Sequence, residues 1–324
     1  MDIAGARMGN AASEAMSIEM TSRASEGGTV PKAPAFPLLL ESGHVGLDLC
    51  SPTGVDPWAP WAKREPWFPS GLAADWDDVY RTWFGDGDRP VVNFNLMGSC
   101  PRAWDAKIRQ CFGHLWREAL NGGLEGWEAT AKGCVAKLIL VDQLPRHIFR
   151  GQKEAFSSDH IGVRLANRIA HDIARGAKLH IEDAFIIAWP WVHCESLDET
   201  YRAVWWHASL AEAARGTPYQ FRALLNRYGA ELHVSVIQGV GRYPHRNGVL
   251  GREATRQELD HLSRGADLWE FQQTKFYASL RYRVRAVGFF ITAGLYTLSI
   301  GEGQALRTFL ASCARALGRK VKRS

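Results

Sequence analysis

Apolar residues recur at every third or fourth position from Trp76 to Leu262, and no stretch of similar length alternates apolar with polar side chains. That spacing is the period of the α-helix and not of the strand, so it commits the chain to a helical body. Trp76, Val79, Tyr80, Trp83 and Phe84 share one face behind Asp75, and Gly85 closes the element. A second helix, over about 101–120, lines up Trp104, Ile108, Phe112, Leu115 and Ala119 ahead of Asn121-Gly122-Gly123. Thr130 reads as the cap of a helix carrying Val135, Leu138, Ile139 and Val141. Pro145 predicts a turn at Leu144, because the ring disfavours helix at the residue before it. Ser157-Ser158-Asp159 caps a helix with Ile161, Leu165, Ile169 and Ile173 inward and Gly176 at its end. A short apolar element, Ala184–Trp189, breaks at Pro190. Ser196–Glu199 and Thr255–Glu258 have the spacing of capping boxes, and Thr217-Pro218 pairs a cap with a first-turn proline.

Helices of this length joined by short loops predict an all-α domain over residues 75–263, its helices packed as antiparallel pairs. No sequence repeat recurs at a fixed period, so a regular solenoid has no support from within. Three segments flank the domain. Residues 1–36, rich in Ala, Ser, Gly and Met, are expected to be disordered. Residues 37–74 form an irregular Pro/Trp-rich arm whose Trp58, Trp61 and Trp67 are expected to dock on the domain. Residues 264–324 are expected to be a C-terminal helical extension ending in a basic tail. Within it, Ala286–Ile300 has no charge in fifteen residues and follows Arg281, Arg283 and Arg285. A spanning helix needs roughly twenty apolar residues, so a packed helix is the first reading and membrane association the second.

Charge narrows the partners. The net +5 is matched by Arg315, Arg319, Lys320, Lys322 and Arg323 in the last eleven residues, leaving 34 basic against 34 acidic residues elsewhere. A neutral body is not expected to bind nucleic acid. Six cysteines, Cys50, Cys100, Cys111, Cys134, Cys194 and Cys313, form no CxxC pair. They read as reduced thiols in a cytoplasmic setting, with an organelle left open. No apolar run stands behind a basic N-terminus, so no secretory leader is read.

Three polar clusters interrupt the apolar pattern. Leu138–Val141 runs straight into Asp142, Gln143, Pro145, Arg146 and Arg150. His193-Cys194-Glu195 follows an apolar run. Gly241–Arg252 is a Gly/Pro/Asn-shaped loop holding Arg242, His245, Arg246, Asn247 and Arg252. The arginines offer forked donors to carboxylate or phosphate, and with Gln143 and Asn247 they are the candidate ligand contacts. His193 and His245 are the candidate proton carriers, with Glu195 and Asp142 as bases or orienting acids. Equally, Asp142 pairs with Arg146 or Arg246 as structural glue, and His193 is a hydrogen-bonded core histidine. No metal site is expected, since His193-x-Glu195 lacks a second ligand pair, and any cofactor is left open. Nucleotide-binding glycine motifs and a serine-nucleophile motif are missing, and Cys194 beside His193 is not read as a thiol nucleophile.

In order along the chain, Asp77-Asp-Val-Tyr-Arg-Thr-Trp-Phe-Gly85, Trp104–Gly113, Gly123-Leu-Glu-Gly-Trp127, Leu140–Gly151, His193-Cys-Glu-Ser-Leu197 and Gly241–Arg252 resemble the uncharacterised, mainly bacterial proteins grouped as domain of unknown function 924. The resemblance covers roughly residues 75–263. It implies an all-helical domain similar to tetratricopeptide-type helix pairs and no established activity. His147, Cys194 and Thr200 depart from the Asn, Ser and Gln usual in that family, which bears on any inherited function. Two functions follow as expectations: a polar pocket binding a small anionic ligand, or a non-catalytic helical scaffold that presents a concave surface to a protein partner.

Overall fold

Asp75 starts the helical body as its position requires: its carboxylate accepts the Asp77 and Asp78 N–H groups, and helix α1 runs Trp76–Phe84. Gly85, at φ 89°, ends it. The computed structural model describes residues 47–48, 65–85, 104–174, 177–263 and 291–311. The expectations for residues 1–36, Trp58, Trp61, Gly176 and the basic tail lie outside the described residues. So do residues 286–290 of the uncharged run.

The described chain is all-α. After α1 come α2 (Asp105–Leu120), α3 (Ala131–Leu138), α4 (Pro145–Ile148), α5 (Asp159–Ala174), α6 (Ile181–Ile187) and α7 (Trp189–His193). Then follow α8 (Leu197–Ala213), α9 (Pro218–Val240), α10 (Asn247–Leu250) and α11 (Arg256–Ser263). Two further helical stretches, α12 over 291–299 and α13 over 303–311, close the described chain. Among the described residues the one extended pairing is two residues long: Leu47–Asp48 lies parallel to Leu179–His180. Sequence-read caps hold. Thr130 takes the Gly133 N–H, Ser196 the Glu199 N–H and Thr217 the Tyr219 N–H. Thr255 and Glu258 cap each other's backbone N–H groups. Trp67 docks as expected, with Arg81 4.0 Å above its ring.

The core is built around α3, which packs against α1 and α5. Leu138, at its end, and Ile139, Leu140 and Val141, in the turn that follows, have no exposed surface, so the chain here is apolar on every side. The expected turn at Leu144 does not occur. The chain stays helical through a π turn, Ile139–Gln143, in which Leu144 N–H reaches back five residues to the Ile139 carbonyl. The wider turn makes room for the Pro145 ring, which then opens α4 at its first position. Proline's missing N–H strands the Val141 carbonyl, and Ser158 Oγ donates to it at 2.5 Å. Ser158 therefore serves the core and not as a helix cap, and its hydroxyl also accepts from Trp116 Nε1 at 2.9 Å.

Candidate functional site

The π turn sets the site's first wall. It leaves Asp142 buried with no exposure, directly below Arg146 on the next turn. His193 is the last residue of α7, where Pro190 has already restarted the helix. Its Nδ1 lies 2.9 Å from both Asp142 oxygens. Gln143 Nε2 donates to Asp142 Oδ2, and Arg146 Nη1 donates to the Asp142 carbonyl. Arg146 Nη2 bridges two carboxylates, 3.0 Å from Asp159 and 3.5 Å from Asp142. Arg246 arrives from the third cluster. Its Nη1 donates to the His193 carbonyl at 2.7 Å and stands 3.8 Å from Asp159.

The electrostatics follow from this geometry. Burial pushes the Asp142 carboxyl up, but Arg146 and His193 outweigh it and hold the group well below the usual carboxylate range. Asp159 goes the other way, because burial outweighs the help of Arg146 and Arg246. Burial pulls His193 down to about 4, with Arg146 and Arg246 adding to the fall against Asp142. His193 is thus a neutral imidazole at pH 7, with Nδ1–H donated to Asp142. The two arginines differ as well. Arg146 is raised, because Asp142 and Asp159 outweigh its burial. Arg246 is lowered, because burial outweighs the more distant Asp159.

The other sequence candidates form separate groups. Glu195 accepts the Tyr243 N–H at 2.9 Å and two hydrogen bonds from Arg252, at 2.6 and 2.9 Å. With Tyr243 Oη donating to the Val192 carbonyl, these bonds zip the 193–195 turn to the 242–252 loop. Arg242 faces away, onto Glu258 of α11. Arg150 pairs with Asp105 of α2 at 2.6 Å, beside His147, whose Nδ1 is 3.0 Å from the same carboxylate. His245 is half-buried, its ring 5.7 Å from that of Tyr243. Asn247 is buried beside Glu258. Burial pushes the Cys194 thiol up to about 12, and its Sγ is turned onto the Trp191 carbonyl. Thr200 is buried with its hydroxyl bound to the Ser196 and Leu197 carbonyls. Among the described residues, no three His, Cys, Asp or Glu side chains gather as a metal ion would require.

Sequence reading therefore found Asp142, Gln143, Arg146, His193 and Arg246, which do meet. It missed Asp159, taken for a helix cap, and Asp105, whose acid lies in the first turn of α2. It also missed the rings of Phe156 and Tyr243, which hold the Arg246 guanidinium between them, each centroid 4.6 Å away. A usable signal existed for Asp159: Ser157 and Ser158 already offered two caps, so the third polar residue was spare.

Residues 79–266 match a family model described as a bacterial protein of unknown function (DUF924). A solved structure of a protein of unknown function from Agrobacterium tumefaciens is 27% identical, over 51% of this chain and 86% of that one, with a TM-score of 0.43. No curated protein matches the chain.

Proposed function

Since the chain belongs to this bacterial family of unknown function, which brings no activity with it, we propose a function from the geometry alone: the Asp142–His193–Arg246 cluster binds a small anionic ligand. The supporting observation is Arg246. Its guanidinium is buried between two aromatic rings, its Nε has no partner among the described residues, and its nearest carboxylate lies 3.8 Å away. A buried cation without a close counter-charge is unfavourable, and an incoming carboxylate or phosphate supplies that charge. Arg146 differs, because Asp142 and Asp159 already flank it. Gln143, Arg146, His193 and Arg246 each keep 7–9% of their surface exposed, so the cluster is not sealed. His193 adds an acceptor: with Nδ1–H given to Asp142, the lone pair is on Nε2, which suits a ligand that carries a hydroxyl or amine beside its acid group. General acid/base chemistry by this pair is the simplest reaction such a site supports, though a histidine held near 4 favours hydrogen bonding over proton abstraction at pH 7.

Thermal-shift titration of the full chain against phosphorylated and carboxylated metabolites tests the reading. The expected result is a saturable rise in Tm that Arg246→Gln abolishes while Arg242→Gln leaves it intact. A stabilising anion that acts equally on Arg246→Gln overturns it.

A second reading has its own observation. Arg150, Arg242 and Arg252 each close on a carboxylate outside that cluster, Asp105, Glu258 and Glu195, the pattern expected if the clusters tie loops together in a scaffold with tetratricopeptide-like antiparallel pairs. The pairing of α8 with α9 suits that arrangement. Failure of every anion in the panel favours it.

A further inference from the structure

Arg246 and Asp159 form an ion pair that stays open. Arg246 Nη1 donates to the His193 carbonyl and lies 3.8 Å from Asp159 Oδ2, beyond hydrogen-bond reach. The other oxygen, Asp159 Oδ1, accepts from Arg146 at 3.0 Å. Each partner is short of the opposite charge. Burial lowers the Arg246 guanidinium and pushes the Asp159 carboxyl up to about 6, the directions of groups whose charge is under-compensated. The fold holds both in place. Asp159 opens α5, and Gly162 lets that helix close on the site: a Cβ there would meet Asp142 Cβ at 3.4 Å and Pro190 Cβ at 3.3 Å. Arg246 is wedged between the Phe156 and Tyr243 rings. The Asp159 side chain is 13% exposed, more than that of Asp142, Arg146, His193 or Arg246. The acid's end of the gap is thus the part of the cluster that solvent reaches most.

Charge and tautomer together name a ligand class. Two acids, Asp142 and Asp159, already balance two arginines, Arg146 and Arg246, and His193 is neutral. A ligand with an acid group alone leaves this buried cluster one charge negative. A ligand that brings an ammonium with its carboxylate leaves it balanced. Acceptors for that ammonium are present: Asp159 Oδ2, and the Nε2 lone pair that His193 keeps when Nδ1–H is given to Asp142. The donor for the carboxylate is Arg246, whose Nε has no partner among the described residues. One carbon carrying both groups matches opposite charges that stand only 3.8 Å apart. A peptide holds its two termini on different residues and fits poorly, and a plain amine brings nothing to Arg246. We propose that the cluster binds a free α-amino acid, its carboxylate on Arg246 and its ammonium on Asp159 and His193. This rests on the reading that Arg246 takes the ligand's acid group, and it adds the role of Asp159.

Calorimetric titration of the full chain with the standard L-amino acids tests this, each hit being compared with the α-keto acid and the primary amine of the same side chain. The expected result is saturable binding of at least one amino acid, with its keto acid and its amine each at least about tenfold weaker. Asp159→Asn should weaken the amino acid about tenfold and leave the keto acid unweakened, whereas Arg246→Gln should weaken both. The keto-acid comparison uses the wild-type chain, so it stands if a variant fails to fold. A keto acid bound as tightly as its amino acid, or equal losses for both in Asp159→Asn, overturns this inference and leaves the anion site standing. So does binding of phosphorylated or carboxylated metabolites with no amino acid among the hits. Amino-acid binding that Arg246→Gln leaves intact, or no binding of any anion or amino acid, overturns both readings.

Discussion

Asp142 straddles His193, with both carboxylate oxygens 2.9 Å from Nδ1. The same carboxylate faces Arg146 at 3.5 Å from a position with no solvent contact. One acid thus sets the tautomer of a histidine and neutralises part of a buried arginine, so its removal has two consequences. Asp142→Asn is expected to destabilise the fold by about 3–5 kcal/mol, because Arg146 keeps only Asp159 as counter-charge. Adding Arg146→Met should recover part of the loss. Urea denaturation of the wild type, both single variants and the double variant measures it, and a single-variant loss under about 1 kcal/mol rules out a buried ion pair of this kind.

Glu195 and Arg252 make a bidentate pair of shorter bonds, yet the expected cost of breaking it is smaller. Their side chains are 24% and 21% exposed, so water screens the attraction and solvates whichever partner remains. Arg252→Gln should cost about 1 kcal/mol or less by the same denaturation assay. A larger loss would show that the clamp on the 242–252 loop matters more than its exposure suggests.

Ser158 joins two elements through one hydroxyl, donating to the Val141 carbonyl and accepting from Trp116 Nε1. Ser158→Ala leaves both groups buried without a partner, at a cost of about 2–4 kcal/mol. Ser158→Thr restores the hydroxyl where space allows. Thermal unfolding of the two variants distinguishes loss of the bonds, which affects alanine alone, from loss of space, which affects threonine.

The helical body was legible in the sequence because its signals are local. A cap, a period and a stop lie within one element, and Asp75, Thr130, Ser196, Thr217 and Thr255 act as their positions implied. Leu144 was misread because the rule against helix before proline assumes an ordinary α-turn, and one extra residue in the turn at Ile139–Gln143 removes the clash. The candidate site was half legible. Residue types marked Asp142, His193 and Arg246 as unusual in apolar surroundings. Most of their partners are far along the chain, as with Asp142 and His193 or Arg246 and Asp159, and no local pattern encodes which acid meets which arginine.

Three histidines are held neutral by burial: His193 near 4, and His207 and His233 each near 3. The folded values lie below the 6.5 of an unfolded histidine, so below pH 6.5 the unfolded chain takes up protons that the native state refuses. Each group's stabilisation is full above pH 6.5 and is lost as pH falls toward its folded value. His207 isolates the effect, being 2% exposed with Nδ1 unpartnered among the described residues. His207→Leu should flatten the fall in stability between pH 6.5 and 5 by up to about 2 kcal/mol relative to wild type. Parallel slopes for the two proteins would mean that His207 protonates without penalty.

Asp183 works in the opposite direction. It has no exposed surface, its Oδ1 accepts from Tyr80 Oη at 2.7 Å, and its Oδ2 has no partner among the described residues. Burial pushes its carboxyl up to about 7 from 3.8, against the pull of Tyr80 and Lys132. A folded value above the unfolded one means that the native state holds a proton that the unfolded chain has released. The contribution is fully present below pH 3.8 and is lost as pH rises through 7. Asparagine resembles the protonated form in shape and charge and cannot ionise. The stability of Asp183→Asn relative to wild type should therefore climb between pH 4 and 7, by up to about 4 kcal/mol, and level off above. Tyr80→Phe removes the bond to Oδ1 and with it a group that favours the ionised form, so in that variant the loss should continue to a higher pH than in the wild type. Urea midpoints taken across that pH range read both changes. A difference between Asp183→Asn and wild type that stays constant with pH would place the Asp183 carboxyl in contact with water.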